Sequence, residues 1–196
     1  PKDPAVTGAD IEADQISIVR EIKGRVSVPI SVKLSPFYAN TLNVIHRLDH
    51  EAVDGLVLFN RLFQPDINVN QEALASPMNL SAPADSRLPL RYAGLLHGNV
   101  KASIVASTGI MSGKDVAKML LAGADAVQVV STLYKNKVGQ VATILDELRA
   151  WMEEKAYSSL ADFRGKLSQT NTTDPWAYTR AQYVKLLLRG NPLGGI

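Results

Sequence analysis

Apolar positions along this chain fall into two alternating rhythms. From Ala9 to Lys23 the residues Ile11, Ile16, Ile18, Val19 and Ile22 recur at helical spacing, and Gly24 follows where such a helix would stop. Val28 to Leu34 is short and β-branched, which predicts a strand whose pairing begins after Pro29 and which carries Lys33 near its C-terminal end. Thr41 to Ala52 sets Leu42, Val44, Ile45 and Leu48 on a helical stripe. Gly55 to Phe59 is then an apolar run of the kind found in buried parallel strands, ended by Asn60 and Arg61. Residues Leu62 to Pro83 have no clear period and contain Pro65, Pro77 and Pro83, so they predict a long loop. Loops of that length in a compact domain are often functional. The rhythm resumes with a helix over Ala84–Leu96, a strand over Val100–Ala106, a short helix over Lys114–Ala122 closed by Gly123, and a strand over Ala126–Val130. A last helix, Val141–Glu154, carries Ile144, Leu145, Leu148, Trp151 and Met152 on one face.

Helix and short strand therefore alternate about four times, which means repeated right-handed βα units and an α/β fold. Two architectures share this spacing. One is a partial (β/α) barrel of the TIM type, since a complete barrel takes about eight strands and about 250 residues. Such a half-barrel leaves two sheet edges and one apolar face uncovered, and these invite pairing with another chain. The other is a small open doubly wound sheet, complete as it stands.

The chain has 196 residues, 46% of them hydrophobic, which suits one domain with a substantial core. Its 21 basic and 19 acidic residues give a net charge of +2, so nothing in the charge balance points to nucleic acid or to an anionic membrane surface. The absence of cysteine excludes disulfides, thiolate metal ligation and a cysteine nucleophile within these residues. Pro1-Lys2-Asp3-Pro4 is neither a signal nor a transit peptide, and no apolar stretch approaches the ~20 residues of a membrane span. The expectation is a soluble, unanchored, cytoplasmic protein.

Candidate chemistry concentrates between Val105 and Lys135. Ala106-Ser107-Thr108-Gly109-Ile110-Met111-Ser112-Gly113 joins a strand to a helix through small residues, so backbone N–H groups can approach a phosphate closely. Val130-Ser131-Thr132 follows the next strand and offers two hydroxyls. Each loop alone also fits an ordinary capped turn, but two adjacent loops of this character are how barrels commonly hold one phosphate. Lys33, at the end of an apolar strand, needs either an anionic partner or a route to solvent. Asn60 can donate and accept, which suits a planar ligand with carbonyl and N–H groups, though it also fits a turn. His46, His50 and His97 lie within or at the ends of helices and read as surface or packing residues; no third ligand accompanies His46 and His50, so no metal site is expected.

Ser31-Val32-Lys33-Leu34-Ser35-Pro36, Asp54 to Arg61, Thr108-Gly109-Ile110 and Ala122-Gly123-Ala124-Asp125-Ala126-Val127-Gln128 occur in an order and spacing that resemble the dihydroorotate dehydrogenase family. The likeness continues through Leu148 to Met152 and Phe163-Arg164-Gly165. It implies a C-terminal half-barrel of about four βα units filling residues 1–196, with 169–196 as a C-terminal extension. It also implies FMN at the C-terminal ends of the strands. Lys33 would match the family lysine that contacts the flavin, and Asn60 an asparagine that binds the pyrimidine substrate. Ser81 and Ala82 would match a small, often glycine-containing turn that the family has near the phosphate. Ser107, Thr108 and Gly109 would form one phosphate loop, with Thr108-Gly109 matching paired glycines. Val130 and Ser131 would match a Gly-Thr pair in the other.

Two departures qualify that picture: Thr108 and Val130 stand where the family has glycine, which makes close approach to phosphate harder. No residue matches the Cys or Ser base that the family uses to oxidise dihydroorotate to orotate, so the chain alone is expected to be inactive, its barrel completed by a second copy or by a complementing N-terminal half. A phosphate-ligand binding module without turnover and a structural half-barrel that assembles as an oligomer are the alternatives.

Overall fold

Thr7 starts the first helix through a reciprocal cap. Its hydroxyl accepts the Asp10 N–H at 3.2 Å, and the Asp10 carboxylate accepts the Thr7 N–H at 2.9 Å. In the computed structural model, which describes residues 3–62, 64–75 and 78–179, helix α1 (Gly8–Lys23) is followed by β1 (Ser31–Leu34), α2 (Thr41–His50) and β2 (Gly55–Leu58). A small hairpin, β3 (Asp66–Asn68) and β4 (Ala73–Ala75), precedes a 3-10 turn at Pro83–Ser86 and α3 (Arg87–Leu96). The chain then runs through β5 (Ser103–Ser107), α4 (Gly113–Ala122), β6 (Ala126–Gln128), α5 (Ser131–Asn136) and α6 (Gln140–Glu154).

The main sheet is parallel throughout, in the order β1-β2-β5-β6. Each strand lies beside the next main-sheet strand of the sequence, so the order never reverses. A doubly wound sheet needs such a reversal at its switch point, whereas a barrel wall does not. The sheet is thus an arc of a (β/α) barrel.

Register divides the strands into two faces. Leu34, Leu56, Leu58, Ile104 and Ala106 belong to the one core cluster with Val44, Ile45, Leu48, Met119 and Leu120 of the helices. The opposite face carries Lys33, Val57, Val105 and Ala126 in one row, with Ser107 paired to Gln128 beyond it. Among the described residues no helix covers this inner face. It is as polar as apolar, rather than the plain apolar face expected from a half-barrel.

Aspartates just before the strands fix their stagger. Asp54, preceding β2, accepts the Ile30 N–H at 2.7 Å, and Asp125, preceding β6, accepts the Ile104 N–H at 2.8 Å. Each satisfies a donor at the start of the neighbouring strand, where the ladder has not yet begun. At the far end of the core Phe163, 1% exposed, packs against Trp151 and Tyr157 with both ring centroids at 5.0 Å.

One sequence expectation changes and one element is added. Strand β1 begins at Ser31, after Pro29 as anticipated, but the Leu62–Pro83 stretch is not wholly loop, because it contains the β3–β4 hairpin. Its side chains are too exposed to leave a periodic signature. Helix α5 was not foreseen, since six residues with only Thr132 buried show no stripe. Of the C-terminal extension, Gln169 donates its N–H to Gly94 O at 2.9 Å and Tyr178 packs across Gly94; the amphipathic stretch expected over Tyr178–Leu188 lies, beyond Thr179, outside the described residues.

Candidate functional site

All four barrel strands end at one cleft of about 270 Å³. Lys33 comes from β1, Asn60 from the end of β2, Ser107 to Gly109 from the end of β5, and Gln128 to Ser131 from the end of β6. Ser81 closes it from the long excursion after β2. Phe59, Leu80, Ile110 and Val129 give it apolar walls. Every site residue expected from the sequence lines this cleft except Ala82, whose N–H instead donates to Asp85 Oδ2 at 2.8 Å.

The polar groups lie at its two ends. At one end Lys33 has no carboxylate partner among the described residues and donates to Gln128 Oε1 at 3.4 Å. Asn60 donates its backbone N–H to Leu34 O at 2.6 Å, while its exposed side chain has no partner among the described residues and is free for a ligand.

At the other end three loops meet. Thr108 and Gly109 have φ of 81° and 70°, both in the left-handed region. The backbone therefore follows the path of a glycine pair even though the first residue is threonine, at a conformational cost. Glycine is required at 109: a Cβ there would stand 2.3 Å from Ser86 N and 2.8 Å from Ala82 O. Val130 is different, because its φ of −133° lies outside the left-handed region that favours glycine. Ser107 is 4% exposed and its hydroxyl has no partner among the described residues. The N–H groups of Ser131 and Thr132, in the first turn of α5, likewise have no acceptor among them. Lys135 Nζ stands 3.5 Å from Ser81 O, adding a positive charge at this end.

Sequence reasoning left ten of the eighteen lining residues unassigned, Gln128 and Arg61 among them. Gln128 is a polar residue on the inner row of an otherwise apolar strand, the same signal that marked Lys33. Arg61 hydrogen bonds to Asn79 and lies 3.5 Å from Asp85, but nothing local announces partners so far along the chain. The three histidines lie away from the cleft; His97 caps α3 and its Nδ1 is 3.2 Å from Gly123 O. Among the described residues no cluster of His, Asp and Glu could hold a metal ion, and no helix is long and apolar enough to cross a membrane.

A parallel barrel wall whose strands all end at one cleft defines a (β/α)-barrel protein. Comparison with known proteins narrows the class. Residues 6–152 match the family model described as dihydroorotate dehydrogenase, and the chain belongs to that family. It is 30% identical over 151 residues to the dihydroorotate dehydrogenase B (NAD(+)) catalytic subunit of Thermoplasma volcanium, covering 76% of this chain and 50% of that protein. Against the Bacillus mycoides catalytic subunit it is 29% identical over 163 residues, covering 82% and 52%. A crystal structure of ligand-free type DHODH from Eimeria tenella shares the fold, with a TM-score of 0.63 at 17% identity over 79% of this chain and 49% of that one. The chain spans about half the length of the curated relatives it matches.

Proposed function

We propose that this chain is the phosphate-gripping half of an FMN-dependent dihydroorotate dehydrogenase barrel, contributing to the oxidation of dihydroorotate to orotate in pyrimidine biosynthesis. The observation that carries the reading is the convergence of the β5 loop, the β6 loop and Ser81 at one end of a cleft whose other end holds Lys33 and Asn60. The residues fit the cofactor. The N–H groups of Ser131 and Thr132 and the Ser107 hydroxyl, without partners among the described residues, and the nearby Lys135 suit a phosphate dianion, and the apolar walls suit a flat ring system.

When bound, FMN supplies the hydride acceptor. The chain's own side chains bind, orient and shield. The Lys33 ammonium stabilises negative charge at the ring, the Asn60 amide pairs with the substrate's carbonyl and N–H groups, and Phe59, Leu80 and Val129 keep water from the ring face. Proton removal from the substrate needs a base, and no residue at the cleft fills that role in the family's manner. The chain on its own should therefore turn over dihydroorotate poorly.

Completion of the barrel follows from the same reading. Among the described residues β1 and β6 are both free edges. Apolar side chains are exposed beyond each, with Ile18 at 56% and Val28 at 63% near one, and Tyr134 at 65% and Val138 at 78% near the other. A complementing N-terminal half-barrel, or failing that a second copy of this chain, would bury them. If the free edges rather than the cleft mark what the chain does, it is a structural half-barrel that assembles without ligand.

Size-exclusion chromatography with light scattering and visible absorbance, with and without added FMN, tests the proposal. A yellow protein peak is expected. A colourless peak at millimolar FMN sinks the flavin reading and leaves the structural one.

A further inference from the structure

Ser81 is 5% exposed and sits where three loops meet. Its N–H donates to Ser131 Oγ at 2.9 Å, and its hydroxyl donates to the same oxygen at 2.8 Å. Its Oγ in turn accepts the Gly109 N–H at 3.2 Å. These contacts tie residues 50 and 28 positions away in the sequence to one side chain.

Counting protons decides what this serine can do. A phosphate dianion accepts hydrogen bonds only, so a residue that contacts it must donate. Ser81 has two donors, and both are directed at Ser131. Its remaining lone pairs would repel an anion. Ser131 is the reverse case: its oxygen accepts twice from Ser81, which leaves its own proton free, and donation into an already polarised hydroxyl strengthens the next bond in the chain.

We infer that Ser81 is a positioning residue for the phosphate of the ligand, acting through Ser131 and Gly109 without touching it. The inference rests on the FMN reading above and deepens it. Ser81 holds the β5 loop against the β6 loop and turns the Ser131 hydroxyl outward, so that the donors of Ser131 and Thr132 converge before the anion arrives. Preorganised donors of this kind bind better than donors that must be gathered on binding.

The test compares FMN with riboflavin, which lacks the phosphate, by flavin-fluorescence titration of the full chain, wild type and Ser81→Ala. Ser81→Ala is expected to weaken FMN about tenfold and leave riboflavin unchanged. Equal loss for both ligands, or no loss, overturns the inference. Wild type that does not prefer FMN to riboflavin overturns the phosphate reading itself, and the inference with it, and is told apart because the failure then appears before any substitution. Amide hydrogen exchange, read without ligand, gives the local half of the claim: the Gly109 amide should exchange faster in Ser81→Ala, and an unchanged rate overturns it. Should Ser81→Ala fail to fold, Ser81→Cys keeps the volume with a weaker donor and acceptor, and the same FMN-only loss is expected.

Discussion

Lys33 Nζ meets Gln128 Oε1 at 3.4 Å although their strands, β1 and β6, are the two outermost of the sheet, with β2 and β5 between them. Both residues lie on the inner face, and the two long side chains reach toward each other across the rows that hold Val57 and Val105. Val57 is only 3% exposed on a face that no helix among the described residues covers, as expected if polar stems shield it. The pair forms the floor of the cleft.

Replacement of Lys33 should therefore separate binding from folding. Lys33→Met removes an exposed ammonium, so the far-ultraviolet circular dichroism should not change, while the dissociation constant for FMN should rise about tenfold. Fluorescence titration checks this. Unchanged affinity would remove Lys33 from the site.

Thr108 holds a φ of 81° that costs a threonine about 1–2 kcal/mol. Thr108→Gly relieves that strain but adds freedom to the unfolded chain, so a net gain of about 0.5–1 kcal/mol in urea unfolding is expected. FMN affinity should hold or improve, because the family's glycine is restored. A loss of stability would mean that the threonine side chain contributes more than its backbone strain removes.

Gly109→Ala should do the opposite. The new Cβ would fall 2.3 Å from Ser86 N, a backbone atom that cannot swing away, and the φ of 70° adds strain. A loss of more than about 2 kcal/mol is expected, with the FMN affinity falling as the β5 loop leaves the 3-10 turn. A variant that melts with wild type would show that the two segments are not held in contact.

Asp115 links acid stability to the same loop. Burial pushes its carboxyl up, but hydrogen bonds from Lys118, from the Met111 N–H and from Ser112 outweigh that and hold it below the usual carboxylate range. A group whose folded pKa is depressed stabilises the fold above its unfolded value and loses that contribution as pH falls through the folded one. Asp115→Asn should therefore cost about 1–2 kcal/mol at pH 7, and the gap to wild type should narrow below about pH 4. Urea unfolding at pH 7, 5 and 3 checks the sign; a gap that persists at pH 3 would contradict it.

The sequence by itself determined the order of the main-sheet strands and the longer helices, though not β3, β4 or α5, because burial on one helical face or along a strand repeats at a fixed spacing that local reading detects. It also marked eight of the cleft's eighteen lining residues, since polar or small residues at the ends of apolar strands are conspicuous, but not Gln128, Arg61 or the apolar walls. It could not choose between a barrel arc and a doubly wound sheet. Spacing records which segments are strands, whereas neighbour order depends on pairings such as Leu58 with Ala106 that span dozens of residues. Only the tertiary structure decided which side chains meet across those distances. Lys33 with Gln128, Arg61 with Asn79, and Ser81 with Ser131 and Gly109 are each made at the strand ends by segments far apart in the sequence, where hydrogen bonds leave no periodic trace in the chain.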